Sequence, residues 1–249
     1  LRQALTNGEF ELYYQPILYL QTGKVSGFEA LIRWNHPERG MISPADFIPL
    51  AEEIGFIVPL GEWVLEQACI AAVEWKRRHP ESPMVMAVNL SARQFEQPGL
   101  TELVATALRE SGMPPQRLCL EITESILMSR AEGALDTLRQ LRSLGVSLAI
   151  DDFGTGYSSL AYLKRFPIDI LKIDRGFVEG LPDSSFDRVI VEAVIGLAHS
   201  LGIEVVAEGV EHEAQARMLC DCGVTRAQGW LYAAAMEQAE LLQFMASHG

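Results

Sequence analysis

Phe10-Glu-Leu-Tyr-Tyr-Gln-Pro-Ile-Leu-Tyr-Leu20 and Lys24-Val-Ser-Gly-Phe-Glu-Ala-Leu-Ile-Arg33 are two β-rich runs separated only by Gln21-Thr-Gly23. Aromatic and β-branched residues recur in both, as suits strands on a pleated, half-buried surface. A connection that short makes a hairpin, because a parallel crossover needs about a dozen residues or more. At least one early strand must therefore run antiparallel to its neighbour. Beyond residue 33 the pattern becomes an alternation. Strands are expected at Met84–Leu90, Arg117–Thr123, Ser147–Ile150, Ile170–Asp174, Glu204–Glu208 and Arg226–Leu231. Helical patterns cover Pro44–Ile54, Leu60–Arg78, Gly99–Ser111, Glu132–Leu144, Ser158–Arg165, Phe186–Leu201, Ala214–Cys222 and Gln238–Ser247. Gly112 and Gly202 stand where helices should stop, in the left-handed cap that glycine adopts cheaply.

Roughly eight β/α units in 249 residues match a (β/α)8 barrel, whose sites lie at the C-terminal ends of its strands. The competing open doubly wound sheet usually carries a glycine-rich turn after its first strand, and Gly27-Phe-Glu-Ala lacks one. No linker divides the chain, so residues 1–249 read as one α/β domain. The opening Leu1-Arg-Gln-Ala-Leu5 reads as the end of a linker from a longer, multidomain protein.

The 20 Lys+Arg against 33 Asp+Glu give a net charge of −13, which argues against a binder of duplex nucleic acid. An anionic substrate is still compatible, provided cations bridge it to gathered carboxylates. No apolar run reaches the roughly 18 residues of a membrane span. Cys69, Cys119, Cys220 and Cys222 form no CxxC pair and read as reduced thiols of a cytoplasmic domain, a structural zinc site being the lesser alternative. His36, His79, His199, His212 and His248 make no HExxH spacing and end no strand.

The strand ends carry the chemistry. Glu29, Leu31 and Arg33 share one strand face. Val85-Met-Ala-Val-Asn89 ends in an amide, Glu121 sits inside an otherwise apolar strand, and Leu148-Ala-Ile-Asp-Asp152 ends in adjacent carboxylates. Lys172 and Asp174 share a face, Val205-Val-Ala-Glu208 ends in an acid with Glu211 a turn onward, and Gln228 closes the series. In a barrel these ends converge on one mouth, where bound cations would relieve the repulsion among so many acids. An all-oxygen donor set favours Mg2+ or Mn2+ over zinc. Two such ions about 4 Å apart can clamp a phosphodiester, and Asp151 and Asp152 suit that geometry. A Schiff-base role for Lys172, as in aldolases, needs a depressed pKa that the surrounding acids oppose. Asp152-Phe-Gly-Thr-Gly-Tyr-Ser-Ser159 is a loop of small residues directly after these acids, which Glu124 is placed to anchor through Thr155, Ser158 or Ser159.

These runs together resemble the EAL-domain family of cyclic di-GMP phosphodiesterases. The naming motif is Glu29-Ala-Leu31 within Glu-Ala-Leu-Ile-Arg-Trp34. With it stand Tyr14-Gln-Pro-Ile17, Asp46-Phe-Ile-Pro-Leu-Ala-Glu52, Asn89-Leu-Ser91, Glu121-Ile-Thr-Glu-Ser125, the loop 151–159, Leu171-Lys-Ile-Asp174, Ala207-Glu-Gly-Val-Glu211 and Gln228-Gly229. The resemblance implies a modified TIM (β/α)8 barrel with an antiparallel first barrel strand. It implies metal-dependent hydrolysis of one phosphodiester of cyclic di-GMP to linear pGpG, with two metals, Mg2+ or Mn2+, per active site; Ca2+, whose looser and larger coordination suits such a clamp poorly, is expected to inhibit. Carried over residue by residue, Glu29, Asn89, Glu121 and Asp151 match the ligands of one metal, and Asp151, Asp152 and Glu208 those around the second. Lys172 matches the lysine near the attacking water, Glu124 the glutamate that holds the long loop, and Asp174 a supporting acid. Gln15, Leu31, Arg33, Glu211 and Gln228 match substrate-binding positions, with Arg33 aimed at phosphate. Homodimerisation, and upstream sensory or diguanylate cyclase domains in a longer protein, are further implications, with membrane anchoring of that longer protein left open. The alternative is a catalytically weak cyclic di-GMP receptor. One departure stands out: Trp230-Leu-Tyr-Ala-Ala-Ala-Met236 lacks the family's basic residue and proline, which is expected to soften the last loop.

Overall fold

The structure, a computed structural model, describes residues 1–80, 84–129, 131–155 and 160–248. The described residues form β1 (Phe10–Tyr19), β2 (Val25–His36), β3 (Gly40–Ile42), β4 (Val85–Leu90), β5 (Leu118–Thr123), β6 (Ser147–Phe153), β7 (Ile170–Ile173), β8 (Glu204–Ala207) and β9 (Arg226–Ala227). β2, β4, β5, β6, β7, β8 and β9 pair in parallel in that order. β1 pairs antiparallel with β2 on one side and with β9 on the other, so it closes an eight-stranded barrel as its reversed member. β3 lies outside the barrel, paired antiparallel to β2. This is the expected modified TIM barrel.

Several boundaries differ from the sequence reading, each for a local reason. β7 stops at Ile173 because Asp174 turns out as a helix cap, its side chain accepting from the N–H of Gly176. β9 ends at Ala227 rather than Leu231, since the chain turns at Gly229, whose carbonyl accepts from Tyr232 and Ala233. β6 runs on to Phe153 through both aspartates. Short helices at Ala92–Phe95, Glu124–Ser129 and Arg175–Val178 follow strand ends directly; they are too brief to show a helical period. Gly112 and Gly202 do cap their helices, at φ 74° and 70°. Of the expected helix 158–165, Leu160–Leu163 is helical, and Ser158 and Ser159 lie outside the described residues.

Strand alternation sorts the side chains into two environments. Outward, Phe28, Met86, Leu120, Ile122, Leu148, Ile150 and Leu171 are buried between the barrel and its helices. Trp75, on the helix Ile57–Arg78, packs edge-on against Phe28 and Tyr14, with centroids 5.0 and 4.7 Å away. Each such buried aliphatic or aromatic side chain contributes roughly 1.5–3 kcal/mol. Inward, Ile17, Ala87, Cys119, Ala149, Ile170 and Val206 form a small apolar plug. On each parallel strand the residue two places further on is polar: Asn89 after Ala87, Glu121 after Cys119, Asp151 after Ala149, Lys172 after Ile170, Glu208 after Val206. In reversed β1 the order inverts, and Gln15 precedes Ile17 and lies opposite Glu29. The polar layer therefore sits on the apolar plug at the C-terminal end of the barrel. Among the described residues no helix is long and apolar enough to cross a membrane.

Gly27 lets β2 and β4 approach. A Cβ there would lie 2.4 Å from the Val85 carbonyl oxygen. Gly27→Ala is expected to destabilise the domain by about 1–3 kcal/mol in urea titrations, the usual cost of overpacking. Wild-type stability in that variant would mean that the β2–β4 contact is slack.

Candidate active site

Lys172 is 1% exposed, and its Nζ lies 2.6 Å from Glu121, 2.7 Å from Glu208, 3.4 Å from Asp151 and 3.5 Å from Glu29. Two amides complete the layer. Asn89 Nδ2 donates to Glu29 at 2.7 Å, and Gln228 Nε2 donates to Glu29 at 2.7 Å and to Glu208 at 2.9 Å. The Gln228 Oε1 atom is buried with no hydrogen-bond partner.

One ammonium cannot balance so many acids away from water, and their protonation follows from that. Burial alone would strip the Lys172 proton, but Glu121, Glu208, Glu29 and Asp151 hold its pKa well above the usual range. Schiff-base chemistry, which needs a neutral amine, is disfavoured accordingly. Burial pushes Glu121 well above the carboxylate range against the pull of Lys172. Burial, with Asp151 and Glu29 adding to it and Lys172 opposing it, pushes Glu208 up to about 8. Glu29 is also desolvated, yet Lys172 and the donors of Gln228 and Asn89 bring it below the ordinary value. Asp152 is raised by burial and by its neighbours Asp151 and Asp174.

Strict alternation would send Asp151 and Asp152 to opposite faces of β6. Instead the β6–β7 register shifts between Ile150 and Phe153, and Asp152 takes φ 54°, the one positive φ of a non-glycine residue among those described. Such a bulge re-aims a side chain. Oxygen atoms of Asp151, Asp152 and Glu208 come to lie within 4.8 Å of one another, a group able to hold a metal ion. The backbone N–H of Asp152 donates to the Asp151 carboxylate at 3.0 Å, and its carbonyl accepts from the Thr155 hydroxyl at 2.8 Å. Glu124, 1% exposed, accepts from the N–H of Gly154 at 2.9 Å. Within the described part of the loop, Glu124 thus meets the backbone at Gly154. Gly156, Ser158 and Ser159 lie outside the described residues.

The remaining expected positions ring the mouth. Arg33 lies over the Tyr13 ring at 5.4 Å and donates to the Ile32 carbonyl, which turns the guanidinium across β2. Leu31, Arg33 and Asn89 line a pocket of ≈ 420 Å3 with Ile48 and Leu60. Gln15 is half-buried and reaches the Ala233 carbonyl at 3.4 Å. Glu211 pairs with Arg175 at 3.1 Å, and Arg175 also lies over the exposed Trp230 ring at 5.3 Å. Asp174 caps its helix, outside the cage around Lys172. The departing segment 230–236 is tied down: Met236 exchanges two backbone hydrogen bonds with Tyr14, and Leu231 donates to the Val210 carbonyl. Two features escaped the sequence reading. Arg175 was hidden by its place just after the motif acid, and Leu60 is an apolar residue that resembles any other core position, whereas Ile48 falls within the quoted run 46–52.

A protein-family model described as EAL domain matches residues 1–235. The bifunctional diguanylate cyclase/cyclic di-GMP phosphodiesterase MucR of Pseudomonas aeruginosa is 46% identical over 246 residues, 99% of this chain and 36% of that protein. The protein y4lL of Sinorhizobium fredii is 48% identical over 248 residues, 99% of this chain and 29% of that protein. The chain thus spans well under half the length of these curated relatives. Among solved structures, the PaMucR phosphodiesterase in complex with c-di-GMP superposes with a TM-score of 0.93 at 46% identity, covering 96% of this chain and 97% of that one. The EAL domain of Mycobacterium smegmatis DcpA superposes at 0.81 with 38% identity, covering 97% of each chain.

Asp152→Val should lower stability by about 1–2 kcal/mol more than Asp152→Asn in urea titrations, because asparagine tolerates the left-handed region and a β-branched residue does not. Equal stabilities would show that the backbone relaxes there at no cost. Burial pushes Glu208 from the ordinary 4.5 up to about 8 in the folded state. Between those pH values the folded protein holds a proton that the unfolded chain has lost. Stability of the metal-free protein is therefore expected to fall as pH rises from about 4.5 through 8, by on the order of 1 kcal/mol per pH unit for Glu208 and as much again for Glu121, which burial also raises. Thermal melts in EDTA measure this, and Glu208→Gln should remove about half of the slope, Glu121 keeping the rest; an unchanged slope would assign the proton elsewhere.

Proposed function

Since this chain belongs to the EAL domain family, we propose that it hydrolyses one phosphodiester of cyclic di-GMP to linear pGpG. The observation that carries this reading is the meeting of Asp151, Asp152 and Glu208 oxygens beside a protonated lysine at the barrel mouth. Its support from likeness is the 46% identity to a c-di-GMP phosphodiesterase crystallised with c-di-GMP, at a TM-score of 0.93. Because the chain spans 36% of MucR, what a longer protein would do is part of the same proposal. That part comprises upstream sensory or diguanylate cyclase domains, a membrane anchor and a homodimer around a cytoplasmic catalytic domain. Phe186 and Val189, 71% and 65% exposed on one helix face, favour the homodimer.

The site's chemistry fits divalent cations. Glu29, Glu121, Asp151, Asp152 and Glu208 set against Lys172 leave a formal charge of four minus, which two divalent ions would cancel. All donors are carboxylate or amide oxygens, the set that suits Mg2+ or Mn2+. Glu29, Asn89, Glu121 and Asp151 would hold one ion, and Asp151, Asp152 and Glu208 the other. Bound there, the ions would supply Lewis-acid charge to the phosphoryl group and lower the pKa of water.

This chain's own residues do the rest. Lys172 stays charged and gives the site a fixed cation that orients water and steadies charge developing on phosphate. Arg33 offers a guanidinium to the other phosphate, with Leu31 and the adjoining pocket beneath a guanine. Gln228 and Asn89 hold Glu29 in place, Glu124 holds the loop after Asp152, and Asp174 fixes the turn after Lys172. Gln15 and Glu211 border the bound nucleotide. A water oxygen forms a new bond to phosphorus, the bond from phosphorus to the 3′ oxygen breaks, and that oxygen leaves with a proton as a hydroxyl. The product keeps a 5′ phosphate, which makes it pGpG.

Incubation with cyclic di-GMP and Mg2+ or Mn2+ should yield pGpG by chromatography. EDTA should abolish turnover, Ca2+ should inhibit it, and Asp152→Asn should lower kcat by about two orders of magnitude or more while the fold is kept. Tight binding of cyclic di-GMP without turnover would move the reading to a receptor. Turnover that survives exhaustive chelation would remove the metal mechanism.

A further inference from the structure

Arg175 begins the short helix that leaves β7, and its side chain reaches the segments that leave β8 and β9. Its stem lies against Gly209, which takes φ 66°; a Cβ there would run into the Arg175 Cβ, Cγ and Cδ atoms. Its Nη2 stands 3.1 Å from a Glu211 carboxylate oxygen, and its guanidinium carbon lies 5.3 Å over the Trp230 ring. One side chain is thus anchored by packing, by an ion pair and by a cation–π contact. The backbone under Glu211 is fixed separately. Gln215, 2% exposed, accepts the N–H of Glu211 at 2.8 Å and that of His212 at 2.9 Å. The same amide donates to the Val178 carbonyl at 3.0 Å, on the helix that Arg175 begins. An ion pair between two mobile surface side chains contributes little, because ordering both offsets the attraction. Here packing on Gly209 already orders the arginine, and Gln215 already orders the backbone of the glutamate.

We propose that Arg175 is a positioning residue, which holds the Glu211 carboxylate where it borders the bound nucleotide and keeps Trp230 beside it. The assignment rests on the proposed hydrolysis of cyclic di-GMP and adds to that site a residue that acts through Glu211. Without the guanidinium, the Glu211 carboxylate loses the charge that directs it, and Trp230, 65% exposed, loses the cation above its ring. The cage of acids around Lys172 is built without Arg175. Loss of the guanidinium should therefore be felt in substrate binding and not in the chemical step.

The test is a mutant cycle of wild type, Arg175→Met, Glu211→Gln and the double variant, read by steady-state kinetics with cyclic di-GMP and Mn2+. Methionine keeps an apolar stem against Gly209 and removes the charge. Arg175→Met is expected to raise KM about three- to tenfold while kcat stays within about twofold of wild type. In the Glu211→Gln background the same change should alter kcat/KM by less than about twofold, because the group it directs has already lost its charge. A loss of equal size in both backgrounds, or a fall in kcat at unchanged KM, would overturn the positioning role. Should Arg175→Met not fold, Arg175→Gln takes its place in the cycle. Should wild type bind cyclic di-GMP without turnover, the cycle is read as Kd by calorimetry, with the same fold-changes expected. Wild type that neither binds nor hydrolyses cyclic di-GMP removes the proposed function and this assignment with it. Active wild type matched by Arg175→Met removes this assignment alone.

Discussion

Glu29, Glu121, Asp151 and Glu208 share one buried ammonium, and the rest of the molecule is arranged around that imbalance. Charges removed from water cost several kcal/mol each unless they are paired, and one lysine pairs fully with only some of its neighbours. Protons on Glu121 and Glu208 meet part of the difference, and the donors of Asn89 and Gln228 let Glu29 keep its charge. Such an arrangement survives only on a rigid frame. The closed sheet provides it, because every strand of the barrel has neighbours on both sides and none is an edge.

Reversal of β1 and the bulge in β6 are the two irregularities of that frame, and both serve the polar layer. Reversal puts Gln15 opposite Glu29 while keeping Ile17 in the plug below. The bulge brings a second aspartate to a mouth that alternation would have denied it. The strain at Asp152 is held by the turn behind it, where Thr155 caps its carbonyl and Glu124 takes the Gly154 N–H. Backbone strain of this sort, of order 1–3 kcal/mol, persists where surrounding contacts over-determine the conformation.

The amino-acid order by itself determined most of the fold and the polar layer at its mouth. Three residues between two β-rich runs require a hairpin, and the alternation that follows it leaves few α/β architectures. A polar residue two places beyond an apolar one at strand after strand announces a layer at one end of a barrel. What tertiary structure decided is where those side chains meet and whom they serve. Gln228, matched to a substrate-binding position, also ties Glu29 to Glu208. Asp174, matched to a supporting acid, caps a helix, and Arg175 beside it joins Glu211 and Trp230. Two-residue periodicity tells which face a side chain takes, but a register shift breaks that period with no mark in the sequence. Protonation likewise depends on burial and on partners far apart along the chain, as in Lys172 with Glu121, 51 residues away. Local order therefore names the participants, and only the closed barrel sets their distances, charges and roles.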